Sequence, residues 1–162
     1  MTAKSIPVSL LKDPRHFLSF GFGSGLLPKA PGTFGTLAAI PLYLLLILFS
    51  GETVYLIVCS SGLVLGFYLC DYTSRALGVQ DHPAIVWDEI IGFLITMLFI
   101  SPSLVAVLLG FILFRIFDIL KPWPISWLNR GTSGLAVVLD DVAAGVMARL
   151  VLAVFMNIGG GG

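Results

Sequence analysis

Five carboxylates stand inside or against apolar runs of this chain: Asp88 and Glu89 in "HPAIVWDEIIGFLITMLFI", Asp118 in "FRIFDILKPWPI", and Asp140 and Asp141 in "LDDVAAGV". An ionised carboxylate near the middle of a hydrocarbon layer costs about 2.5–3.5 kcal/mol on insertion scales. Five such groups call for a common purpose. Two cations, Arg115 and Lys121, lie beside them, so the set carries five negative and two positive charges, a net −3 that direct pairing cannot neutralise. Either some of the carboxylates carry protons or a divalent cation sits among them. Hard oxygen donors of this kind suit Mg²⁺ or Mn²⁺ far better than zinc, which prefers His and Cys. Such a cluster serves hydrolytic chemistry or lines an ion pathway.

The elements that position these groups are set by hydropathy. Of the 162 residues, 57% are hydrophobic and only 11% charged, and mean hydropathy is +1.02. A soluble domain carries about 25% charged residues, so the composition points to a membrane protein. Lys and Arg balance Asp and Glu at nine each, which leaves no electrostatic footprint for nucleic acid. Cys59 and Cys70 lie in apolar runs and read as buried free thiols. The expected fold is all-α: one domain over residues 1–158, a polytopic helical bundle of about five spans with an N-terminal interfacial segment, followed by a glycine tail at 159–162.

Charge-free runs at 30–51 and 53–70 supply the first two spans, with Glu52 at the hairpin between them. Two 18-residue helices at 83–100 and 103–120 supply the next pair, Pro83 opening the third span and Ser101-Pro102-Ser103 forming the turn. A last helix runs over about 135–157. Eight of the nine Lys and Arg fall on one side of this arrangement, Arg149 being the exception. By the positive-inside rule that side is cytoplasmic, with Trp123 and Trp127 at its headgroup boundary. Counted back and forward from Pro102, Asp88, Glu89, Arg115 and Asp118 fall between ~19 and ~24 Å from the outer end, and Asp140 and Asp141 reach the same level. Each group also has a plainer reading. Asp118 pairs with Arg115 or Lys121 as a helix neighbour, and Asp140-Asp141 opens the last helix, favoured by its dipole. Asp88-Glu89 cannot open a helix that Pro83 already starts.

The segment "GFGSGLLPKAPGTFGT" is neither a dinucleotide fingerprint nor a P-loop. It reads as a membrane-surface loop with Phe17, Phe20 and Phe22 in the interface. In "PGTFGT", the amides of Gly32 and Thr33 and the Thr33 hydroxyl open a helix as an anion site, with Lys29 just before it. Asp81 and His82 precede Pro83, Asp81 as a helix cap and both as candidate supporting residues.

Four stretches, "GFGSGLLPKAPGTFGTLAAIP", "GVQDHPAIVWDEIIG", "FRIFDILKPWPI" and "LDDVAAGV", resemble successive signatures of bacterial phosphatidylglycerophosphatase A, in the family's order and across about residues 17–148. Lys29 stands where some of those relatives have an apolar residue. The resemblance implies a multi-pass protein of the bacterial cytoplasmic (inner) membrane. It also implies removal of phosphate from the lipid phosphatidylglycerophosphate, with Mg²⁺, on the cytoplasmic side. On that footing Asp88, Glu89, Asp140 and Asp141 are expected to hold the metal and supply the base, with Asp118 supporting them. Arg115, Lys121, Lys29, Gly32 and Thr33 are expected to hold the phosphate. Direct attack by water and an aspartyl-phosphate both remain open. A small transporter using the carboxylate layer is the alternative.

Overall fold

Uninterrupted apolar runs fold as helices because, away from water, the helix is the conformation that satisfies each backbone amide within its own segment. The computed structural model describes residues 6–80, 82–123, 125–128 and 134–159. The helices are α1 (Pro14–Ser19), α2 (Pro31–Phe49), α3 (Gly51–Leu77), α4 (Trp87–Thr96), α5 (Leu104–Leu120), α6 (Ile125–Leu128) and α7 (Gly134–Gly159), with 3₁₀ turns at Val8–Lys12 and Gly21–Leu26 on either side of α1. Among the described residues there is no strand. Helices α2 and α3 are long and apolar enough to cross a membrane. Leu45 and Leu48 on α2, Ile57 and Val64 on α3, Ile112 and Ile119 on α5, and Leu150 and Val154 on α7 are all exposed. Apolar surface on this scale is consistent with a membrane protein.

The sequence expectation holds closely for α5 and α7 and fails for the third span. Ser103 caps α5, its hydroxyl accepting from the Ala106 amide at 3.1 Å. The helix expected over 83–100 is instead the ten residues of α4. At about 15 Å it is half the ~30 Å of a hydrocarbon core. Pro83 does not start it because the Val86 amide, which would close the first turn onto the His82 carbonyl, is engaged elsewhere. Ala84 donates to His82 Nδ1 at 3.2 Å, Ile85 to the His82 carbonyl at 2.8 Å, and Val86 to the Ser19 carbonyl at 2.9 Å. At the other end, Phe99 takes a left-handed φ of 56° and breaks the helix. Asp88 and Glu89 therefore lie in the first turn of a helix after all, where its dipole favours negative charge. The heights counted from Pro102 assumed helix throughout and do not apply to this arm.

Helix α4 is the centre of the bundle. It packs against α2, α3, α5 and α7, and Trp87, Asp88, Ile90, Ile91, Gly92, Phe93, Leu94 and Thr96 are all buried. A helix so short leaves carbonyls unsatisfied at its end. The Leu98 amide, which would serve Leu94 in a longer helix, donates to Ile95 instead. Tyr55 of α3 replaces it, its hydroxyl donating to the Leu94 carbonyl at 2.6 Å, and Tyr43 of α2 does the same for Ile100 at 3.0 Å. Tyr55→Phe leaves a buried carbonyl without a donor and should lower stability by ~1–3 kcal/mol. Thermal unfolding in detergent reads this directly, and an unchanged midpoint would show that the hydroxyl carries no such duty.

The N-terminal segment is fastened to α3 by a buried polar chain. Thr73 donates to Ser19 Oγ at 2.7 Å, and Ser19 donates to the Leu69 carbonyl at 3.0 Å. His16 Nδ1, 2.9 Å from Thr73 Oγ1, must then be the donor of that bond. Burial lowers the His16 pKa, and the ring stacks on Tyr72, 4.9 Å between centroids. Of the three phenylalanines expected at the membrane surface, Phe17 and Phe22 are exposed. Phe20, at the end of α1, is wholly buried. Trp123 is exposed as expected of a boundary residue, whereas Asp81 and Arg130 lie outside the described residues.

Candidate active site

Two helices meet here because each carries a glycine one turn beyond its acid. Asp88 is followed four residues later by Gly92, and Asp141 four residues later by Gly145, so acid and glycine share a face on each helix. A methyl group on Gly145 would strike the Gly92 carbonyl oxygen, and one on Gly92 would lie 2.9 Å from the Asp141 carbonyl oxygen. With no side chain on either, the α4 and α7 backbones come into contact. Small residues serve helix packing in membranes in this way. The close approach brings Asp88, Glu89 and Asp141 together, with one carboxylate oxygen of each lying within 4.8 Å of the others. Asp88 and Asp141 are buried. Glu89 Oε2 is buried with no hydrogen-bond partner.

The two cations answer two of the remaining acids. Arg115 Nη1 pairs with Asp118 Oδ2 at 2.6 Å, one turn along α5. Lys121, in a left-handed conformation at the end of α5, reaches across to Asp140 on α7. Asp140 Oδ1 also accepts the Asp141 amide at 3.0 Å. Asp140 thus turns toward Lys121 and stands outside the three-carboxylate group, whereas the sequence reading had placed it among four metal ligands. Adjacent residues on a helix differ by about 100° in direction, and at this rotation of α7 it is Asp141 that faces α4 while Asp140 faces Lys121. Asp118 remains close enough to Glu89 and Asp141 to interact electrostatically with both.

Helix α2 closes the site from the remaining side. A methyl group on Gly32 would collide with Glu89 Oε1 and lie 3.2 Å from Arg115 Nη1. Gly32 therefore belongs to the site through its bare backbone. Thr33 contributes differently from expectation, because its amide is bonded to the Ala30 carbonyl at 3.0 Å and is not free for an anion. Lys29 is exposed in the loop ahead of α2. His82 serves the turn before α4 through the Ala84 amide. Sequence reasoning missed Thr36, wholly buried one turn after Gly32, and it missed Gly92 and Gly145. The repeated spacing of acid and glycine in "DEIIG" and "DVAAG" was the available signal for the glycines.

A group of three carboxylates in mutual reach, two of them buried, is unstable when fully charged and alone, since like charges at this range disfavour ionisation. Oxygen-only donors with one buried oxygen still lacking a partner fit a hard divalent cation of the Mg²⁺ class. Beside them, Arg115 Nε is also buried without a partner. Paired demands of opposite sign, an acceptor and a donor, suit a cation and an anionic oxygen bound side by side.

The family described as Phosphatidylglycerophosphatase A matches residues 17–156. A Phosphatidylglycerophosphatase A of Escherichia coli (strain K12) is 43% identical over 153 residues, covering 92% of this chain and 88% of its own length. One of Haemophilus influenzae is 44% identical over 147 residues, 90% of each chain. A Bacteroides thetaiotaomicron protein provisionally named a phosphatidylinositol-3-phosphatase is 34% identical over 141 residues, 83% of this chain and 88% of its own. No solved structure matches the chain.

Proposed function

The chain belongs to the phosphatidylglycerophosphatase A family, and on that premise we propose that it hydrolyses phosphatidylglycerophosphate to phosphatidylglycerol and phosphate. The reaction takes place in the cytoplasmic leaflet of a bacterial inner membrane that the chain crosses several times. It uses Mg²⁺ held by Asp88, Glu89 and Asp141. The single observation that carries this reading is the three-carboxylate group beside an arginine whose Nε lacks a protein partner.

The substrate fits such a place. Its acyl chains stay in the bilayer while its terminal phosphate lies at headgroup level, where the start of α4 meets the N-terminal segment. Arg115 donates to the phosphoryl oxygens, held in place by Asp118. Lys121, paired with Asp140, adds positive charge to the rim of the site and not to its floor. A carboxylate of the group accepts the proton of the attacking water. The water oxygen bonds to phosphorus, the bond from phosphorus to the glycerol oxygen breaks, and the carboxylate returns the proton it took to that departing oxygen. When bound, the cation offsets charge on the transferring phosphoryl group and lowers the pKa of water.

Phosphate release by protein purified in detergent tests the whole reading. With phosphatidylglycerophosphate and Mg²⁺, release is expected; a chelator should reduce it at least ~100-fold, and excess Mg²⁺ should restore it. Release that is indifferent to chelation would remove the ion from the proposal. No release at all would remove the substrate.

A further inference from the structure

We infer that Thr36 is a positioning residue that fixes which edge of the Arg115 guanidinium meets the substrate phosphate, an inference resting on the phosphatase reading above. Thr36 is wholly buried on α2. Its hydroxyl donates to the Gly32 carbonyl at 2.9 Å, which commits its proton. The oxygen's remaining acceptor capacity faces Arg115 Nη1 at 3.5 Å. The same nitrogen pairs with Asp118 at 2.6 Å. One terminal nitrogen thus has an acceptor from each of two helices, and the plane of the guanidinium is set between them.

The consequence lies at the other edge. Nη1 is the nitrogen on the same side as the side-chain stem, so the Nε–H points along the edge shared with Nη2. A phosphate takes two parallel bonds from one such edge. Nε is buried with no protein acceptor, which leaves its N–H available to a ligand oxygen. Thr36 and Asp118 hold Nη1, and the edge bearing Nε is presented to the phosphate. Gly32 is part of the same device, because a side chain there would press on Nη1.

Two substitutions separate this role from packing. Thr36→Val keeps the shape and removes the hydroxyl, while Thr36→Ser keeps the hydroxyl and removes the methyl group. Steady-state hydrolysis of phosphatidylglycerophosphate in mixed micelles, with thermal unfolding alongside, should show kcat/KM about 10-fold lower for Thr36→Val and within about threefold of the parent for Thr36→Ser. In an Arg115→Lys background, which has no Nη1, the Thr36→Val change should cost nothing further. A packing role predicts the reverse order, Ser worse than Val. That result, or a Thr36→Val protein as active as an active parent, overturns this inference alone. A parent protein that releases no phosphate overturns the phosphatase reading and this inference with it.

Discussion

Asp141→Asn should lower phosphate release from phosphatidylglycerophosphate by at least ~10³-fold, about 4 kcal/mol of transition-state stabilisation, while leaving the protein folded and no less stable. The change is isosteric, so α7 keeps its packing on α4. It removes one of three acids gathered within 4.8 Å of one another. With the cation chelated, losing a like charge from a buried group relieves repulsion, and the thermal midpoint should hold or rise. Activity falls because an uncharged amide binds a hard cation poorly. The neighbouring residue is the control. Asp140→Asn breaks the ion pair with Lys121 and leaves the three-carboxylate group intact. Its loss should be nearer ~10-fold, the size of an effect from a supporting partner rather than a ligand. Phosphate release and unfolding measured on both variants decide the matter. Equal losses from the two aspartates would mean that the site does not distinguish them, and a fully active Asp141→Asn protein would end the assignment.

Much of this site was legible before any coordinates. Charges buried in apolar sequence are costly enough that their presence alone marked Asp88, Glu89, Asp118, Asp140 and Asp141, and the two nearby cations followed. The division of labour among them was not legible. Which of two adjacent aspartates faces α4 depends on the rotation of α7 about its axis, and the glycine in "LDDVAAGV" sets that rotation only through its contact with another helix. It is fixed by Gly145 meeting Gly92. The start of α4 was hidden for a similar reason. Proline after a possible capping residue is an honest helix-start signal. It is overridden here because Ser19, far away in sequence, supplies an acceptor to the Val86 amide, and the chain stays unwound until Trp87. The helices α5 and α7, whose ends depend on local composition, came out close to expectation. Those whose limits depend on a distant partner did not.

The glycine contact yields the second large effect. Gly145→Ala adds a single methyl group, and ordinarily Ala favours a helix over Gly by about 1 kcal/mol. Here the methyl group meets the backbone oxygen of Gly92, with the Gly92 carbonyl carbon 3.1 Å away. Neither atom can rotate aside as a side chain would, so α4 and α7 must separate. Overpacking of this kind costs ~1–3 kcal/mol, and the upper end is expected because the obstacle is backbone. Separation also draws Asp88 and Glu89 away from Asp141, so activity should fall at least ~10²-fold in protein that is still folded, since small misplacements at a reacting centre are costly. Gly110 on α5 supplies the contrast. A methyl group there lies 2.6 Å from Met97 Sδ and 3.3 Å from Leu152. Methionine adapts readily to such an intrusion. Gly110→Ala should therefore leave stability within about 1 kcal/mol of the parent, with helix propensity offsetting the repacking. Unfolding midpoints and phosphate release for the two variants test the comparison. If Gly145→Ala is as stable and active as Gly110→Ala, α4 and α7 do not touch through their backbones, and the carboxylates they carry are not brought together in the way described.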